Sequence, residues 1–267
     1  MLNTLQLYLA YIKFYFRSQS EYPANFIAGN VANFYTYFLV YANFWILTQK
    51  FGNLGGWTFD EVSLLYSLNL LTYALAGILF WYSVYSLQNA VINGDLDRYL
   101  VRPRGIIIQL VCQQFGFSFV GQVLAVLTFL IPCLVRLHTS ASPGKLLYLL
   151  SAILGGFLIQ AGAIILVGAL SFWFTRTTDI GEIFYYNLRS FINYPLNMFP
   201  AFIQIGLTFV FPWAFINYYP ALILLDKTQT NLELILGLAA PLVGVLFFIF
   251  ALKVFYQGLK RYTGVGH

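Results

Sequence analysis

Six stretches of this chain carry no charged residue: 22–49, 62–93, 106–135, 146–174, 191–225 and 234–252. The hydrocarbon core of a bilayer is about 30 Å thick and a helix rises about 1.5 Å per residue, so each stretch is long enough for a helical crossing. Inside lipid the backbone must satisfy its own hydrogen bonds, which favours helices over open strands for such runs. Composition agrees: the 267 residues are 60% hydrophobic and 9% charged, with mean hydropathy +0.75, more apolar surface than a soluble globule can bury. The expectation is an all-α integral membrane protein with six transmembrane helices.

The first 21 residues differ from these runs. Asn3, Gln6, Lys13 and Arg17 fall on one helical stripe and Leu2, Leu5, Leu9, Ile12 and Phe16 fall elsewhere, the pattern of an interfacial amphipathic helix over 1–21. No small-residue cleavage site follows, and Lys13 and Arg17 interrupt any signal-like apolar core, so no removable leader is expected. The first crossing is placed at 22–49, with Asn30, Asn33 and Tyr37 on one face suited to helix-helix hydrogen bonding. A glycine-rich loop holding Gly52, Gly55, Gly56 and Trp57, the last a candidate interface anchor, leads to a second crossing at 62–86. The third (106–135) has a polar seam of Gln113, Gln114, Ser118 and Gln122. The fourth (146–174) has a small-residue seam of Ser151, Gly155, Gly156 and Gly162 that permits close helix approach.

Residues 175–190 read as a polar connection. The next stretch, 191–225, cannot be one straight helix, because Pro195, Pro200, Pro212 and Pro220 each remove a backbone hydrogen bond. A broken fifth helix is expected there, with a re-entrant piece near Pro212 to Pro220. Irregular backbone at membrane depth is tolerated only where protein or a water-lined cavity shelters it, which makes this region a candidate for the outer side of a transport path. The sixth crossing is 234–252. Collecting Lys and Arg with both termini, 94–104 and 175–190 on one side gives ten against four, which puts both termini in the cytoplasm.

Several functions lack their residues. The two cysteines, Cys112 and Cys133, sit in one apolar stretch without a ligand neighbour, and His138 stands in a loop without a second ligand. No phosphate-binding G-x-x-x-x-G-K-[ST] run, nucleophile elbow or H-E-x-x-H occurs, so catalysis by this chain is not expected. The basic excess of +5 is explained by orientation in the bilayer rather than by nucleic acid. The six uncharged runs also lack the ionisable group that ion-coupled carriers place at membrane depth.

The densest charge lies at 94–104, with Asp95, Asp97, Arg98, Arg102 and Arg104. Gly94 stops one helix, Asp95 starts another, Leu96, Tyr99 and Leu100 share a face, and Pro103 ends the turn, so a short amphipathic helix at the membrane surface is expected within 87–104. An ordinary charged loop, or a lipid-headgroup contact by Arg98 and Arg102, fits the same residues.

The run from Ile92 to Pro103 resembles the G-x-L-D-x-x-L-x-R-P segment of ABC-2-type transporter permeases, in the branch of small six-helix subunits. Tyr194-Pro195 with Phe211 to Pro220, and the closing Tyr262 to Gly266, resemble the same branch. The resemblance implies a permease subunit of an ATP-driven ABC exporter, an efflux component with no cofactor of its own, working with a separate ATPase subunit that holds ATP and Mg in the inner (plasma) membrane. It implies a coupling helix between the second and third crossings, with Gly94, Asp95, Leu96, Asp97, Arg98, Tyr99, Leu100, Arg102 and Pro103 as the docking segment. Within it, Leu96, Tyr99 and Leu100 would form the apolar anchor. A second permease chain, in a homo- or heterodimer, would enclose the path, with Asn69, Thr72, Tyr73, Asn197, Gln204 and Thr208 as candidate lining. Interhelical hydrogen bonds account for those residues equally well. The substrate stays open between drug-like compounds, lipids and glycans. A non-transporting membrane scaffold and a secondary carrier are the competing readings.

Overall fold

The computed structural model describes residues 12–14, 17, 18, 21, 23–82, 87–113, 115–137, 142–174 and 181–262. The expected interfacial helix, His138, Gln114 and the closing Thr263 to Gly266 lie wholly or mostly outside them. The described residues are almost all helical and form no strand beyond one isolated bridge between Leu54 and Trp57. Four helices are long and apolar enough to cross a membrane: Phe59–Trp81, Phe117–Arg136, Pro143–Phe172 and Asn231–Leu259. The bent pair Ala201–Val210 and Pro212–Leu224 makes a fifth if it counts as one span.

Helix α1 (Pro23–Phe51) has the length for a crossing. Its four asparagines at 25, 30, 33 and 43 and its tyrosines keep it less apolar than the others, and three of these polar side chains bond neighbouring segments. Asn30 Oδ1 accepts from the Gly121 amide at 2.8 Å, Asn33 Nδ2 donates to the Ser118 carbonyl at 2.9 Å, and Tyr37 OH accepts from Gln122 Nε2 at 3.0 Å. A tight turn follows, with Gly55 at φ +60° and Gly56 at φ +85°, backbone angles that a side chain resists. Trp57 packs inward, 3% exposed, so it is no lipid-interface anchor. Helix α2 (Phe59–Ala76) opens with a capping box of Thr58 and Glu61 and is buried on nearly every side, continuing as wide turns through Gly77–Trp81.

Short helices α3 (Leu87–Ile92) and α4 (Asp97–Leu100) lead to α5 (Ile106–Gln113). The expected third crossing at 106–135 is divided: the chain breaks after α5, the Gly116 amide donates to the Ile78 carbonyl at 2.9 Å, and the span resumes through Phe117–Phe119 into α6 (Val120–Arg136). Only a glycine fits this close approach, because a Cβ at Gly116 would lie 2.9 Å from the Gly77 carbonyl oxygen and 3.2 Å from Ile78 Cα.

Helix α7 (Pro143–Ala169) and the last helix, α11 (Asn231–Leu259), lie side by side in parallel. Contacts advance together along both, from Tyr148 OH on the Gly237 carbonyl, through Gly155 on Pro241 and Gly244, to Gly162 on Phe247 and Ala251. Of the small-residue seam read from sequence, Gly155 and Gly162 face this interface, whereas Gly156 faces Thr72 of α2 and Ser151 bonds the Tyr148 carbonyl of its own helix.

Between α7 and α11 the chain departs most from expectation. Residues 182–193 are helical, in wide, regular and tight turns that include α8 (Leu188–Ser190), where a polar connection was expected up to residue 190. This run lies antiparallel to α2. Tyr185 meets Tyr73 and Trp81, Asn193 meets Asn69, and Asn197 Nδ2 donates to the Gly55 carbonyl at 2.8 Å. A hairpin then descends through α9 (Ala201–Ile205), bends by 74° near Phe211, and returns through α10 (Tyr218–Leu224). The prolines set its joints: Pro195 and Pro200 precede helical pieces, Pro212 opens the next, and Pro220 lies in the first turn of α10, where a missing N–H is harmless.

Candidate functional site

Two places gather the residues that sequence singles out. The first is the charged segment. Gly94 at φ +73° turns the chain out of α3, and the Leu96 amide donates back to the Ala90 carbonyl at 3.2 Å. Gln109 of α5 donates to the carbonyls of Tyr99 (3.0 Å) and Arg104 (2.7 Å), which pins the far end. Leu96 is wholly buried and Tyr99 is 8% exposed, so both face the protein's own core and cannot be the apolar anchor for a partner. The correction has a simple cause: three residues on a single helical turn cannot all point outward when the turn rests on a hydrophobic base. Leu100 and Val101 are exposed instead, with Asp97, Arg98, Arg102 and Pro103 around them. Arg98 pairs with Asp95, and the Arg102 guanidinium stands 5.9 Å from the Tyr99 ring centre.

The second place is a polar cluster within the helices. Asn69 lies near the middle of Phe59–Trp81 and Gln160 near the middle of Pro143–Phe172. Asn69 Nδ2 donates to Asn193 Oδ1 at 2.8 Å, Gln160 Nε2 donates to Asn69 Oδ1 at 3.1 Å, and Tyr185 OH donates to Gln160 Oε1 at 2.9 Å. Arg189 reaches the same amide, Nη1 to Asn69 Oδ1 at 3.4 Å, and its guanidinium lies 3.9 Å from the centre of the Tyr73 ring. Among the described residues no carboxylate pairs with it, and its Nε is buried without a hydrogen-bond partner. Asn217 holds the hairpin to this cluster, donating to the carbonyls of Leu65 (3.1 Å) and Ile192 (2.6 Å).

Of the six candidate lining residues, the structure brings two together. Asn69 and Tyr73 belong to the cluster. Thr72, fully buried, bonds the carbonyls of Leu68 and Asn69 and rests its methyl against Gly156, which is packing. Asn197 lies elsewhere, in a polar cavity of about 400 Å³ at the end of the bundle that holds Trp57, Asp226, Lys227 and Glu233. Gln204 caps the Phe199 carbonyl at 2.8 Å. Thr208 lies 3.0 Å from Tyr219 OH, tying the two arms of the hairpin.

The sequence reading missed Gln160, Tyr185, Arg189 and Asn193. Arg189 counted as a loop residue because it precedes an uncharged run, and helical phase from Tyr185 through Arg189 to Asn193, every fourth residue, was the signal that pointed inward. Contrary to the expectation from the uncharged runs, an ionisable group does stand among the helices: Arg189, against Asn69 and Tyr73. Next to Tyr185 a cavity of about 440 Å³ is lined almost wholly by apolar side chains, among them Ala163, Leu166, Val167, Phe211 and Trp213.

The geometry is that of a membrane-embedded helical unit with a pinned surface segment and a polar heart, and it carries no metal-binding group of side chains among the described residues. No curated protein and no solved structure matches the chain. The sequence pattern of the family described as ABC-2 family transporter protein matches residues 31–266, which takes in the surface segment, the polar cluster and the hairpin. The chain belongs to the ABC-2 family of transporter proteins.

Proposed function

We propose that the chain is the membrane half of an ATP-driven exporter, in which two permease chains enclose the path and a separate ATPase subunit binds the outer face of the 94–103 segment. Nucleotide and Mg belong to that ATPase. The observation that carries this reading is the two-sided build of the segment: Leu96 and Tyr99 fasten it inward while Leu100, Val101, Asp97, Arg98 and Arg102 stay exposed. A small apolar centre ringed by charge is the composition of a protein contact. Membership of the family supports an ABC ATPase as the kind of partner, and a transport component rather than a catalyst as the role.

The test is co-purification. Replacing Leu100 and Val101 together by aspartate should leave the protein inserted and lower the ATPase recovered with it to about a tenth or less. Recovery equal to wild type would refute docking through this face.

Arg189 bears on the carrier alternative as well. Arginine does not release its proton in proteins, so it is no proton relay, and the energy for transport is still sought outside this chain.

A further inference from the structure

We infer that the Arg189 cluster and the apolar cavity beside it form one binding site for an anionic amphiphile, with the acidic headgroup at Arg189 and the apolar tail among Phe211, Trp213, Leu166 and Val167. This deepens the transport reading by assigning a substrate class, and it rests on that reading only for the word substrate.

Four observations carry it. First, the cation is placed deep: its partners Asn69 and Gln160 lie near the centres of their spans, where an ionised group without a counter-charge is expensive and commonly marks a ligand pathway. Second, the guanidinium is only partly satisfied. Tyr73 covers one face and Asn69 Oδ1 takes one Nη at the long distance of 3.4 Å. Nε, part of the fork that captures carboxylates and phosphates at two points, has no partner. Third, Asn69 Oδ1 and Gln160 Oε1 are already occupied, by Gln160 and Tyr185 respectively, so the network is built to hold the cation's surroundings in place rather than to neutralise it. Fourth, Tyr185 joins the two halves: its hydroxyl belongs to the cluster, its ring lies 5.8 Å from the guanidinium, and it lines the cavity. At about 440 Å³ that cavity falls in the size range of sites for small organic ligands. The abundance of aromatic rings alone would suit a cation equally, but a fixed guanidinium repels one.

The experiment uses the full chain in phosphatidylcholine nanodiscs, without an ATPase, and follows tryptophan fluorescence on adding dodecyl phosphate, dodecanoate or dodecyltrimethylammonium, with empty discs as the blank. Wild type should bind at least one of the two acids about tenfold or more tightly than the ammonium, and which acid binds better separates phosphate from carboxylate recognition. Arg189→Gln should bring acid and ammonium within about threefold of each other, while Arg189→Lys keeps the preference. Equal binding of acid and ammonium by wild type, or a full preference retained in Arg189→Gln, overturns the inference. If Arg189→Gln does not elute as a single folded species, the wild-type order together with Arg189→Lys decides. Since no ATPase is present, failure of the docking proposal leaves this result unchanged.

Discussion

Single residues divide the surface segment into a half that holds and a half that faces out. Leu96 and Tyr99 stand in the core, so their loss should be felt as lost stability. Leu96→Ala should cost about 2–5 kcal/mol, read as a lower melting temperature of the detergent-solubilised protein, and Leu100→Ala less than about 0.5 kcal/mol. A Leu96 variant as stable as wild type would mean that the segment is fastened elsewhere. The sequence showed the amphipathic spacing of Leu96, Tyr99 and Leu100 but not its direction, because spacing locates a face and says nothing of what covers it. Arg189 was illegible for a related reason. Charge is the main sign by which loops are told from spans, so a charged residue inside a span is read as a loop until its neighbours are known.

At the level of elements, the uncharged runs located most helices, and the glycines located one of the closest contacts. A Cβ at Gly244 would lie 2.3 Å from the Gly155 carbonyl oxygen, backbone that has nowhere to move, so α7 and α11 meet at this point because neither has a side chain there. Gly244→Ala should destabilise the protein by about 1–3 kcal/mol, whereas Gly29→Ala, with nothing within 4 Å, should leave the melting temperature unchanged within a degree or two. Similar shifts for both would argue against the parallel contact. The region 181–225 was only half legible. Its four prolines announced breaks, and the structure has a break at each of the first three. That the breaks produce a run beside α2 followed by a hairpin depends on long-range bonds such as Asn193 to Asn69 and Asn197 to Gly55, which no local pattern contains.

For the whole molecule, orientation is the property that sequence supports and contacts refine. Moving Arg189 out of the loop count leaves nine cations against four, and the favoured side is unchanged. At the end proposed to lie outside, Arg136 pairs with Asp60, Lys227 with Glu61, and Lys145 with Asp226, so three of its four cations are matched. With Cys112 and Cys133 replaced by serine, a single cysteine at Gln229 should react with a membrane-impermeant maleimide in intact cells, and one at Arg261 only after permeabilisation. The reverse pattern would invert the proposed topology.

Those ion pairs also bear on how the chain is made. Asp60 and Glu61 are synthesised well before Arg136 and Lys227, so in the proposed orientation the acid of two of the three pairs would cross first. Acidic residues hinder translocation little, while a lone basic residue resists it. In that orientation a carboxylate already on the far side would give each of these two late cations a partner on arrival, so that the first half of the chain would favour the final orientation of the second.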